Sequence, residues 1–160
     1  MPVLLQNRQR GVAVSRSWLG RTAEAVLAAA GAGAAELSLV LVSDRRMRAL
    51  NRRYRKKDRP TDVLAFPQLE RHSAKTSWLR KPQALPGGMS RTLPMLLGDV
   101  VIAMPTAKRQ AKDLGHDIRE EVTRLLVHGV LHLLGYDHER SERDAQRMAQ
   151  RENMILRRVR

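Results

Sequence analysis

The sequence predicts a single α/β (α+β) domain spanning residues 1–160, with about five helices packed on a four-stranded mixed sheet. Three observations lead there. Strand-like apolar runs alternate with amphipathic helical periods and then give way to helices alone. The length, 160 residues, suits one hydrophobic core that needs no covalent staples. The hydrophobic fraction is 42% with only 3% aromatics, so that core must be built of Leu, Val, Ala, Ile and Met.

Taken in order, Val3 to Val14 supplies a first strand from two short apolar patches. Ser15 or Ser17 caps a helix from Trp18 to about Ala30, with Leu19, Ala23, Val26, Leu27 and Ala30 on one face. Gly31-Ala-Gly33 stops it. Glu36 to Ser43 is a near-continuous apolar run with β-branched residues, which predicts a buried strand. Ser43-Asp44 caps a second helix to about Tyr54, with Met47, Leu50 and Tyr54 inward. Thr61 to Phe66 is a short strand closed by Pro67. Gln68 to Met95 has no sustained period, is basic and contains proline and a Gly-Gly pair, which marks 68–95 as a loop insertion. Leu96 to Met104 is another buried strand. Pro105 opens a helix that ends near Gly115. Asp117 with Glu120 resembles a capping box for a helix from Ile118 to Leu134. That helix buries Ile118, Val122, Leu125, Leu126 and Leu133. Ser141 with Asp144 caps a last helix with Ala145, Met148, Ala149, Ile155 and Leu156 inward.

Thirty Lys and Arg against sixteen Asp and Glu give a net charge of +14. Such an excess concerns partners rather than fold: nucleic acid first, an anionic membrane surface second. There is no cysteine, so disulfides and thiolate metal sites are excluded. The N-terminal apolar run is too short for a signal peptide, and Ala25 to Ala35 is too short to span a bilayer. A soluble, cytoplasmic protein is expected, with no membrane partner and no DNA.

Chemistry concentrates in His128-Gly-Val-Leu-His132-Leu-Leu-Gly135-Tyr-Asp-His138, which holds three of the five histidines. His128 and His132 lie one helical turn apart, about 40° around the axis. Gly135 can take the left-handed conformation that ends a helix and lets His138 fold back. A lone helical histidine is ordinarily a hydrogen-bonded, partly buried ring. Three at this spacing predict a metal site on the C-terminal helix and its following turn. Three imidazoles leave one coordination position open; zinc suits them best, with nickel, copper or another divalent metal as alternatives. The spacing matches the metzincin proteases, which need a glutamate straight after the first histidine. Here that residue is Gly129, so a protease would need Glu120, Glu121 or Asp137 as its base. His72 and His116 are not expected to be ligands.

The same stretch, with Leu50-Asn-Arg-Arg-Tyr-Arg-Lys-Lys-Asp-Arg-Pro-Thr-Asp-Val-Leu-Ala-Phe-Pro67 and Leu97-Gly-Asp-Val-Val-Ile102, resembles the signatures of the YbeY family of bacterial endoribonucleases and rRNA maturation factors. The resemblance runs from Leu37 to the C-terminus; Gln68 to Met95 is longer and more basic than that family's connection. It implies a single-strand-specific, metal-dependent endoribonuclease with one Zn2+ per chain on His128, His132 and His138. It further implies rRNA processing at the 16S 3' end and ribosome quality control, on the small ribosomal subunit. A small-subunit ribosomal protein and an assembly GTPase are the further partners it suggests. Arg55, in the Tyr-Arg-x-Lys-Asp segment, and His128 are the implied catalytic residues.

Between Arg45 and Arg59 stand nine Lys or Arg and one acid, Asp58. Such a run is ordinarily a solvated face. Here Arg45, Arg48, Arg52, Arg55, Lys57 and Arg59 are candidate RNA contacts, Arg55 holding a phosphate in bidentate fashion. Tyr54, Trp78 and Tyr136 are the few aromatics able to stack on bases. Asp58, Thr61, Asp62, Asp99 and Asp137 read as structural. The competing functions are a non-catalytic, zinc-stabilised assembly factor that binds rRNA, and a zinc metalloprotease.

Overall fold

A computed structural model of the chain describes residues 3–68 and 96–160. The predicted insertion beyond Gln68, with His72 and Trp78, lies outside the described residues. The elements run β1 (Val3–Asn7), α1 (Arg16–Ala29), β2 (Glu36–Val42), α2 (Asp44–Arg55), β3 (Val63–Pro67), β4 (Leu96–Ala103), α3 (Met104–Leu114), α4 (Ile118–Leu133) and α5 (Glu142–Val159). The four strands form one mixed sheet in the order β1-β2-β4-β3. β1, β2 and β4 are parallel, and β3 is the antiparallel edge.

Four helices begin where a short polar side chain can accept an orphan backbone N–H. Ser15 accepts from Trp18, Ser43 from Arg46, Asp117 from Arg119 and Ser141 from Asp144. α3 has no such cap and instead carries Pro105 in its first turn.

The core forms because the strands bury their two faces against different helices. On one face Leu37, Leu39, Leu41, Val100 and Ile102 meet apolar side chains of α1, α4 and α5. On the other, Val42, Leu64, Val101 and Ala103 meet Met47 of α2. β2 is buried less evenly than its composition predicts. Leu37, Leu39 and Leu41 are inaccessible, whereas Ser38 and Val40, on the opposite face, stay half-buried. Tyr54, expected inward, is exposed and stacks edge-on against Phe66 with ring centroids 5.1 Å apart. The buried partner of Met47 is instead Asn51. Ala149 is likewise exposed; only Met148 and Ile155 of α5 are fully inward. Glu120 does not close a capping box: its carboxylate lies 3.7 Å from His116.

One packing detail bears on the site. A Cβ on Gly129 would sit 2.8 Å from Val100 Cγ1 and 3.4 Å from Val63 Cγ2. α4 therefore lies so close to the sheet that position 129 has no room for a side chain. His128 and His132 leave the helix on a more open side, each half-buried.

Candidate metal centre

α4 brings His128 and His132 one above the other, and the chain then folds back by local hydrogen bonding. The Gly135 N–H donates to the His132 carbonyl at 3.0 Å and the Tyr136 N–H to the Leu131 carbonyl at 3.0 Å. Gly135 takes φ +97°, which a residue with a Cβ adopts only under strain. Asp137 then turns the chain again, its Oδ1 accepting the Glu139 N–H at 2.9 Å. These two turns return His138 to the other rings. One potential ligand atom from each of His128, His132 and His138 lies within 4.8 Å of the others.

His128 Nε2 and His132 Nε2 are 3.0 Å apart. The ring centroids are 4.6, 5.4 and 5.3 Å apart for the pairs 128–132, 128–138 and 132–138. Burial, then the neighbouring His128 and His138 rings, pushes the His132 imidazole below its ordinary pKa, with Asp137 pulling weakly the other way. A ring so placed is neutral near pH 7 and carries a free lone pair. The cluster also sits at the C-terminal end of α4, where the helix dipole favours a cation. Three imidazole nitrogens converging at such a place fit a first-row divalent ion.

Behind the triad, His128 Nδ1 lies 2.6 Å from Glu152 Oε1 of α5. At its edge, Glu139 Oε1 lies 4.0 Å from His138 Nε2 and 3.8 Å from Arg55 Nη2. That single carboxylate links the arginine singled out in the sequence to the histidines. Glu152 and Glu139 were not legible as site residues. Their spacing from the histidines follows no motif, and each matters through a contact made by folding.

Arg55 is the last residue of α2, which closes through Lys56 in the left-handed conformation, φ +58°. Buried Asn51 secures the segment that follows: its carbonyl accepts the Lys57 N–H at 3.3 Å and its Nδ2 donates to the Arg59 carbonyl at 2.8 Å. Arg45, Arg48, Arg52, Lys57 and Arg59 are all exposed on α2 or that segment. Arg48 is engaged with Asp58 through two hydrogen bonds of 2.9 and 3.2 Å, which hold the Asp58 carboxyl below its usual range. Arg45 lies ten residues before Arg55, about 15 Å away along the helix axis. Of these cations, Arg55 is the one whose contact, among the described residues, leads to the triad.

The acids weighed as protease bases are all committed elsewhere. Glu121 is inaccessible and bonded to His116 at 2.6 Å and to Arg124. Burial alone would raise its carboxyl pKa, but the hydrogen bonds from Arg124 and His116 outweigh it and hold the group below its ordinary value. Glu120 accompanies His116 and lies about two turns before His128. Asp137 is spent on its turn and on Arg140 at 3.3 Å. Asp62 likewise serves structure, accepting from the Val63 N–H at 2.8 Å and the Gln110 amide at 3.3 Å.

The family model described as Endoribonuclease YbeY matches residues 4–160. The Endoribonuclease YbeY of Aquifex aeolicus is 42% identical over 154 residues, covering 96% of this chain and 89% of that one. That of Pelotomaculum thermopropionicum is 43% identical over 163 residues, covering 99% and 97%. A solution structure from Thermotoga maritima, 22% identical, superimposes with a TM-score of 0.62 over 98% of this chain and 88% of its own, which shows a shared fold. With a matching family model over nearly the whole chain and two such relatives covered almost end to end, this protein belongs to the Endoribonuclease YbeY family.

Proposed function

We propose that the chain is a metal-dependent endoribonuclease that acts on single-stranded ribosomal RNA, at the 3' end of 16S rRNA, with His128, His132 and His138 holding one Zn2+. The observation that carries this reading is the convergence of three imidazole nitrogens within 4.8 Å, joined through Glu139 to Arg55, in a chain of this family. A bound zinc supplies a Lewis acid and a water of lowered pKa.

The chain's own residues do the rest. Arg55 takes a phosphate oxygen pair with its planar guanidinium and offsets charge that develops there. Glu139, at the same edge, is the carboxylate positioned to take up or return a proton. Arg45, Arg52, Lys57 and Arg59 neutralise neighbouring phosphates, so binding weakens steeply with salt and carries little sequence information. Arg48 contributes less, because Asp58 already occupies it. The small ribosomal subunit, one of its proteins and an assembly GTPase are the partners this reading entails. No helix among the described residues is long and apolar enough to cross a membrane. Peptide hydrolysis is disfavoured by position 129, which packs against Val100 and leaves no space for a carboxylate.

The test is cleavage of single-stranded RNA by purified, zinc-loaded protein. Arg55→Glu should lower the rate about 100-fold or more, in line with the loss of one electrostatic contact to a reacting group, while the fold and zinc content persist. RNA binding without cleavage, after controls for contaminating nucleases, would instead establish the non-catalytic assembly factor.

A further inference from the structure

The contact behind the triad assigns a role to a residue on a different helix. We propose that Glu152 is a positioning residue for the centre: its carboxylate accepts the Nδ1–H of His128, which fixes that ring's tautomer and turns the Nε2 lone pair toward His132 and His138. The inference rests on the reading of the three histidines as metal ligands, but its core concerns the ring alone.

Four observations support it. The pair is short, 2.6 Å between His128 Nδ1 and Glu152 Oε1, as expected when the acceptor is charged. It joins residues 24 apart in sequence, so it is made by the packing of α5 on α4 and not by local chain geometry. Both side chains are sheltered, 27% and 22% exposed, in contrast to the Arg48–Asp58 pair at 57% and 54%. The other ring nitrogen, Nε2, is the one that stands 3.0 Å from His132 Nε2. A carboxylate on one nitrogen leaves the opposite nitrogen as the donor, and it also makes that donor more basic.

A second charge completes the arrangement. Arg124 is one turn before His128 on the same helix, bonded to buried Glu121. Glu121 first, and Glu152 more weakly, hold its guanidinium even more firmly protonated than usual. Arg124 thus places a cation one helical turn from the ring that Glu152 contacts. α5 thus serves the centre as well as the core: Met148 and Ile155 bury its inner side, and Glu152 lies between them in sequence.

The test uses the full chain with Glu152→Ala and Glu152→Gln. Nitrogen-15 spectra of the imidazoles in metal-free protein at about pH 8 should show His128 protonated on Nδ1 in the wild type and as a mixture of tautomers in Glu152→Ala. Zinc affinity, read by competition with a chromophoric chelator, should fall about 10- to 100-fold in Glu152→Ala. Glu152→Gln keeps an acceptor oxygen without the charge and should recover part of that loss. Thermal unfolding of the metal-free variants controls for a merely structural effect. A wild-type His128 protonated on Nε2, or an unchanged tautomer and zinc affinity in Glu152→Ala, would overturn the proposal. A wild type with the Nδ1–H tautomer that nevertheless binds no zinc would overturn the metal reading and leave the positioning role standing. Wild-type spectra need no variant, so misfolding of either mutant does not protect the proposal.

Discussion

α4 carries a histidine neighbourhood at each end, and the two are built on opposite plans. At its start, His116 faces carboxylates: Glu121 at 2.6 Å and Glu120 at 3.7 Å, with Arg124 closing the cluster on the far side of Glu121. At its finish, His128, His132 and His138 face one another, and one carboxylate stands behind. The first arrangement is complete in itself. Opposite charges and hydrogen bonds satisfy every partner, and its function is to secure the helix. The second gathers one potential ligand atom from each ring within 4.8 Å, an arrangement that a cation would resolve. The residue type is the same in both places; what differs is whether its neighbours are acids or other imidazoles.

The comparison breaks most readily at the triad. His128→Ala, His132→Ala and His138→Ala should each lower zinc affinity at least about 1000-fold, since a structural or catalytic zinc site rarely survives with two protein ligands. Metal analysis after gel filtration checks this, and full occupancy in all three variants would erase the distinction between the two ends. At the other end, Glu121→Gln should leave zinc binding unchanged and cost about 2–3 kcal/mol of stability. That is below the usual range for breaking a buried pair, because Arg124 retains access to water. Glu121 also predicts a pH dependence. Its carboxyl is depressed in the folded state, so its contribution is present above the unfolded-state value of ordinary carboxylates. It is lost as pH falls through the lower folded-state value. Urea titrations between about pH 3 and pH 7 should show the wild type and Glu121→Gln converging on the acid side.

Smaller effects sharpen the picture. Gly129→Ala adds a methyl where Val100 Cγ1 is 2.8 Å away, so the helix or the Val100 side chain must shift. Overpacking of this kind costs about 1–3 kcal/mol, partly offset by about 1 kcal/mol of improved helix propensity. A net loss of up to about 2 kcal/mol in a denaturant melt is expected, and a clear gain would mean that α4 does not press on the sheet as described. Smallest, His116→Gln should cost about 1 kcal/mol, the net worth of a hydrogen bond to a charged group at a partly exposed position, with zinc content untouched.

Much of this was legible in the chain before folding. The caps at Ser15, Ser43, Asp117 and Ser141 and the breaks at Gly115 and Gly135 are local signals, and the helices begin and end near them. The three histidines were legible for the same reason: their geometry is set by one helical turn and one glycine. What was not legible depends on a partner brought from elsewhere. Asn51 reads as a surface residue until its amide meets the Arg59 carbonyl. Glu121 occupies a turn of helix that looks acidic and solvated, yet it is inaccessible because Arg124 and His116 satisfy it. Glu152 sits among arginines on a polar stretch of α5, and only the contact between two helices singles it out.

The turn around Gly135 has a consequence for how the molecule responds when its ion is taken away. The three imidazoles come from eleven consecutive residues, so gathering them closes only a short loop and costs little chain entropy. An ion held there cross-links nothing remote. The parallel strands and the α1 and α2 layers do not depend on it, so chelation should loosen the stretch from about residue 128 to 152 and leave the sheet's slow hydrogen exchange unaltered. The proposed metal end would thereby be detachable in the thermodynamic sense: losing the ion would cost the protein its proposed reactivity and leave its shape and its basic residues in place.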